Sequence, residues 1–155
     1  MDNSLKEVIM NNLAIQYEQD FYLWLCNNIE LLKQGRLSEI DAENIAEELE
    51  GMSKNQKREI INRLKILFAH LLKWQFQPDR RSNSWKGTIV EQRNQISKLF
   101  KESPSLKYQI DKKITDAYTE AREYASFETG ILESDFPSES PYSLIQALDK
   151  NFYPD

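Results

Sequence analysis

Apolar side chains recur every three or four residues along most of this 155-residue chain. That spacing selects the α-helix, because residues three and four apart share one helical face. Tyr17, Phe21, Trp24, Leu25, Ile29 and Leu32 make the first such stripe, predicting a helix from about Ile15 to Gln34 that stops at Gly35. Asp41 reads as an N-cap, and Ile45, Leu49, Met52, Ile60, Leu64, Leu67 and Leu71 carry the next stripe toward Phe76, with Pro78 as its stop. Gly51 either interrupts this helix or only weakens it.

A third helix is expected from near Ser84, on Trp85, Ile89, Ile96, Leu99 and Phe100. Ser103 and Pro104 read as the start of a fourth, carrying Leu106, Ile110, Ile114, Ala117, Ala121 and Ala125. A short helix over Tyr142–Leu148 fits between the prolines of the remaining segment. Gly and Pro total nine residues, few for a turn-rich β-protein, and no alternating period demands a sheet. The expected fold is all-α: an antiparallel bundle of about four main helices plus a short C-terminal one. Residues 1–14 read as an arm and 15–155 as one helical domain.

The single cysteine, Cys26, permits no internal disulfide and no cysteine-rich metal site. No apolar run approaches a membrane span, and the start lacks a basic segment followed by an apolar one, so a cytoplasmic location away from membranes is expected. The formal charge is −5, unevenly spread. Residues 1–52 hold 3 basic and 11 acidic side chains, 53–101 hold 12 and 3, and 102–155 hold 5 and 11. Either the segments neutralise one another, or a basic face in the middle meets a polyanion such as nucleic acid.

Chemistry-bearing residues concentrate in that middle segment. His70, the only histidine, falls with Trp74 on the flank of its helix's apolar face, where a hydrogen-bonded structural role competes with proton transfer. Asp79, Arg80, Arg81 and Lys86 surround Trp85, a grouping suited to a phosphate or a nucleobase; the alternative is that the arginines pair with acidic side chains while Trp85 is core. Arg93 falls on the apolar stripe between Ile89 and Ile96, and a charge facing a core requires a partner. Asp20, Glu47 and Glu48 are the expected partners in a buried charge network. Lys73 and Glu91 complete the candidate polar cluster of His70, Lys73, Trp74, Arg80, Arg81, Trp85, Glu91 and Arg93.

Glu43, Glu47, Glu48 and Glu50 lack the Glu-x-x-His pairs of a di-iron bundle, and a magnesium site would need a second acidic helix, for which only Glu120 and Glu123 are available. No metal and no cofactor is expected. Phosphate-binding loops, dinucleotide fingerprints and nucleophile elbows are missing from the sequence.

The string Tyr17-Glu18-x-Asp20-Phe21-Tyr22-x-Trp24 resembles the opening of a bacterial family common in cyanobacteria, the domain of unknown function family 29. The likeness continues through Asn44-Ile45-Ala46-Glu47-Glu48-Leu49-Glu50 and is most specific in His70-Leu71-Leu72-Lys73-Trp74-Gln75-x-Gln77-Pro78-x-Arg80-Arg81-Ser82-x-Ser84-Trp85. Glu91-Gln92-Arg93, Pro104-Ser105-Leu106, Ala117-Tyr118, Ala121-Arg122, Phe136-Pro137 and Pro141-Tyr142-x-Leu144 extend it over about residues 15–154. The resemblance implies an all-α fold in a bacterial protein and carries over no activity and no catalytic residue. The expected function is a non-catalytic interaction module that binds protein or nucleic acid through the basic middle segment. The alternative is an enzyme for a phosphorylated small molecule or nucleic acid, with its site around His70, Arg80, Arg81 and Arg93. A protein partner or a homo-oligomer fits the first reading.

Overall fold

The computed structural model describes residues 2–5 and 12–155; the rest of the expected arm, residues 1 and 6–11, lies outside the described residues. Among the described residues every regular element is helical, giving an all-α helical bundle. Two compact units are resolved, Met1–Lys54 and Asn55–Asp155.

In the first unit the stripe expected as one helix is two. Helix α1 (Leu13–Gln19) and helix α2 (Phe21–Lys33) meet at Asp20. Its backbone leaves the helical region (φ −148°, ψ 80°), and its carboxylate accepts from Leu23 N at 3.1 Å, capping α2. A short acidic side chain that can satisfy a free N–H breaks the helix without proline or glycine. Gly35 ends α2 as expected. With φ at +71° it lets its own N–H reach Leu32 O and that of Arg36 reach Leu31 O, both at 3.0 Å.

Helix α3 (Ala42–Phe76) begins in the first unit and continues in the second, passing Gly51 without a break. Asp41 N–H donates to Asn28 Oδ1, Trp24 donates to the Asp41 carboxylate, and Tyr17 OH donates to Glu48 at 2.7 Å. As α3 advances, its partners retreat along α2 and α1, so this pairing is antiparallel.

The second unit holds the rest of α3, then helix α4 (Asn83–Glu102), helix α5 (Leu106–Gln109), helix α6 (Asp111–Thr129) and helix α7 (Leu144–Leu148). Short 3₁₀ turns lie at Pro78–Arg80 and Glu133–Asp135. Ser82 caps α4 by accepting from Trp85 N, so the helix starts at Asn83, one residue before the expected Ser84. The helix expected after Ser103 is divided near Ile110 into α5 and α6. A reciprocal capping box between Ser143 and Gln146 starts α7, two residues later than expected.

Arg63 reaches Gln92 and Lys73 lies over Trp85, so α4 runs antiparallel to α3. Lys65 pairs with Glu120 and Lys73 with Glu128, so α6 returns parallel to α3. Ile60, Leu64, Leu67 and Leu71 are fully buried against Ile89, Ile96, Ala117 and Ala121. Each buried leucine or isoleucine contributes about 2 kcal/mol of transfer free energy. The small alanines of α6 let α3 approach closely. Leu49 and Met52, expected on the same buried stripe, are instead about 60% exposed.

Candidate functional site

The candidate polar residues of the second unit gather around the extended segment that follows α7. Arg93 is 1% exposed, as its place on the stripe required. Its bonded partners are main-chain oxygens, not carboxylates. Nε donates to Ala147 O at 2.7 Å and Nη2 to Phe152 O at 2.6 Å. Ala147 sits in the last turn of α7, where a helix leaves carbonyls without intrahelical donors and concentrates negative potential. Those oxygens serve a guanidinium as a carboxylate would. Burial pushes the Arg93 guanidinium below its ordinary pKa, against the pull of Tyr153 and Asp149. Its Nη1 has no hydrogen-bond partner among the described residues.

The expected network with Asp20, Glu47 and Glu48 is therefore corrected. In the first unit Asp20 is a helix cap, Glu48 accepts from Tyr17, and Glu47 faces solvent.

Arg81 repeats the device of Arg93. Its Nε donates to Trp74 O at the end of α3, at 2.9 Å, and its Nη2 to Pro154 O at 3.2 Å. Its guanidinium carbon also stands 5.1 Å from the centre of the Trp74 ring. Tyr153 lies between these groups, its ring 5.0 Å from Trp74, with Arg93 and Lys86 over it at 5.2 and 5.6 Å. Lys73 is buried, 3.6 Å from Glu128 and 4.8 Å from the centre of Trp85. Each cation–aromatic contact contributes about 0.5–2 kcal/mol. Tyr142 donates to Gln75 Oε1 at 2.6 Å and lies edge-on to Phe152.

His70 is half-buried beside this lattice, with Nδ1 2.8 Å from Ile66 O. A carbonyl requires a donor, so Nδ1 carries the proton and the ring is neutral when Nε2 is bare. Burial lowers the His70 pKa; Lys73 lowers it further, while the Ile66 carbonyl and Glu128 oppose the shift.

The structure thus brings together Lys73, Trp74, Arg81, Trp85 and Arg93, with His70 next to Lys73. Arg80 and Glu91 stand apart: the Arg80 side chain is exposed in the 3₁₀ turn with no bonded partner among the described residues, and Glu91 accepts from Gln95 on the surface of α4. Two open cavities of about 460 and 490 Å³ in the second unit are lined by none of these candidates. Sequence reasoning missed the other half of the cluster, Ala147 and Phe152–Pro154. The available signal was an aromatic pair set before Pro154, which favours extended backbone in the residue it follows.

Seven of the twelve basic side chains of the middle segment have a bonded or ion-pair partner among the described residues. Lys54, Arg63, Lys65, Lys73 and Lys98 stand against carboxylates, and Arg81 and Arg93 against carbonyls. Among the described residues no group of three or more His, Cys, Asp and Glu side chains is placed to hold a metal.

Residues 16–153 match the family described as domain of unknown function DUF29. The chain belongs to the DUF29 family. No curated protein and no solved structure matches this DUF29 chain. Among the described residues no helix of it is long and apolar enough to cross a membrane.

The first unit presents a different surface. Its only fully buried apolar side chain among the described residues is Trp24, stacked on Phe21 at 5.4 Å with Tyr17 edge-on to both. Phe21, Ile29 and Leu32 are 44–47% exposed, and Leu49 and Met52 more so. At about 100° per residue, Phe21, Leu32 and Ile29 are displaced progressively to one side of Trp24. Met52 and Leu49 are displaced with the same rotational sense from Glu48, the residue that meets Tyr17. Antiparallel helices turn their like-rotated sides to one common face. The open apolar residues of α2 and of early α3 therefore share a face of the helix pair.

Proposed function

We propose that this DUF29 chain is a non-catalytic interaction module of the bacterial cytoplasm, and that it takes a protein partner on the open apolar face of its first unit. The observation that carries this reading is the exposure of Leu49 and Met52 on a stripe whose period matches that of the buried Ile60, Leu64 and Leu67. A helical unit of about 50 residues stands near the lower limit for a self-sufficient core. A contiguous apolar face on such a unit marks an interaction site.

The expected docking through the basic middle segment is less favoured, because Lys73, Arg81, Lys86 and Arg93 already engage carbonyls, a carboxylate or rings, leaving Arg80 as the open cation of that cluster. The enzymatic alternative loses the same cations, since Arg81 and Arg93 are committed to Trp74, Pro154, Ala147 and Phe152.

The test places a photo-activated crosslinking residue at position 49 of the full chain in cells. A discrete protein adduct that disappears in an Ile29→Asp background supports the reading. Crosslinking indifferent to Ile29→Asp, or salt-dependent retention of the chain on a polyanion resin with no protein adduct, overturns it.

A further inference from the structure

Taking that docking face as given, we infer that its occupant is a basic amphipathic helix of a partner protein. Three features of the first unit converge on this chemistry. The floor consists of Phe21, Ile29 and Leu32 from one helix and Leu49 and Met52 from its antiparallel neighbour, an open furrow of the kind into which a third helix lays its apolar side.

The α3 wall of the furrow carries Ala42 and Ala46, both exposed, at the rotational positions just beyond Ile45 and Leu49. Methyl-sized side chains leave room for a backbone to come close. Beyond them the outer surface of α3 turns acidic: at about 100° per residue, Glu50, Glu43 and Glu47 follow in that order round the helix from Ala46, all three exposed. Among the described residues Glu43 and Glu47 have no cationic partner, and Glu50 has only the loose, exposed contact with Lys54 at 3.3 Å.

The charge of the unit agrees. Met1–Lys54 holds 4 basic and 11 acidic side chains, a net −7. A helix with apolar residues on one side and lysine or arginine along its flank satisfies both the apolar floor and the acidic surface beyond it. An acidic helix is repelled, and a second copy of this unit would bring like charges together.

The experiment uses the full chain and two labelled model peptides of about 20 residues with the same leucine face. One carries lysine and the other glutamate at every polar position, and binding is read by fluorescence anisotropy. The lysine peptide is expected to bind saturably and at least tenfold more tightly than the glutamate peptide. Exchanging Glu43, Glu47 and Glu50 together for glutamine is expected to weaken it about tenfold, which corresponds to about 1.4 kcal/mol of lost charge attraction. Leu49→Asp is expected to abolish binding, with circular dichroism unchanged. Exchanging the three glutamates for lysine is expected to reverse the preference between the peptides.

Equal binding of both peptides, lost in Leu49→Asp, overturns the charge assignment and leaves the docking face standing. A Leu49-dependent dimer in sedimentation, with neither peptide bound, overturns the basic-helix occupant in favour of a second copy. Neither peptide binding to a monomer removes both the occupant and the face.

Discussion

Replacing Arg93 by methionine removes two short tethers, one to α7 and one to the segment after it. Each bond, at 2.7 and 2.6 Å, joins a charged donor to a neutral acceptor, and such bonds contribute about 1.5–3 kcal/mol. Their loss costs roughly 4 kcal/mol, and the Ala147 oxygen, buried under the former guanidinium, adds about 1 kcal/mol as an acceptor left without a donor. Against this, methionine relieves the burial of a charge whose Nη1 has no partner, worth on the order of 2 kcal/mol. The balance is a destabilisation of about 3 kcal/mol, which lowers the melting temperature by about 10 °C. Lysine at this position keeps the charge but cannot fork toward two oxygens, and is expected to cost about 2 kcal/mol. Calorimetry of the full chain reads the total. Hydrogen exchange locates it: amides over 144–153 should lose protection before those of α6. A methionine variant as stable as the parent would refute the reasoning, because buried ion pairs are sometimes improved by apolar replacement.

Other expected outcomes follow from the same structure. The His70 pKa is lowered on folding, so the unfolded chain takes up the proton first. Stability from this group is complete above the ordinary value near 6.5 and is lost as pH falls through the folded value. Denaturation of His70→Asn between pH 7 and 5 should therefore show a shallower acid slope than the parent. Tyr17 and Tyr118 are pushed up to about 12, the first by its bond to Glu48 and the second by burial. Both should ionise late in an ultraviolet titration, and their stabilisation should fade as pH rises from about 10 to 12. Asp20→Ala should cost about 1 kcal/mol in urea unfolding through the lost cap, with fraying confined to the start of α2. Gly51→Ala should add about 0.5–1 kcal/mol in the same assay, because a Cβ there meets nothing within 4 Å and the residue is mid-helix.

The helical fold was legible because it rests on local spacing. Ile60 to Leu71 and Ile89 to Phe100 fall where their period puts them, and Arg93 was recognisable as a buried charge from its place between Ile89 and Ile96. Its partners were not. Main-chain oxygens have no letter in a sequence, and those of Ala147 and Phe152 lie 54 and 59 residues away. The division at Asp20 was hidden for a related reason: an aspartate inside an apolar period is compatible with either a continuous helix or a cap, and only the bond to Leu23 N decides. Leu49 and Met52 show the converse. Period reports which side of a helix is apolar, not whether anything covers it.

The tethers from Arg81 to Pro154 and from Arg93 to Phe152 also bear on how the second unit matures during translation. Synthesis delivers both arginines some 60 to 70 residues before their acceptors. Until those acceptors emerge from the ribosome the guanidiniums stay hydrated, and the surface of α3 and α4 that Tyr153 later seals is open. Final consolidation of this unit thus waits for residues 152–154, and a chain stalled before them would expose a cationic, tryptophan-bearing patch that the folded unit conceals.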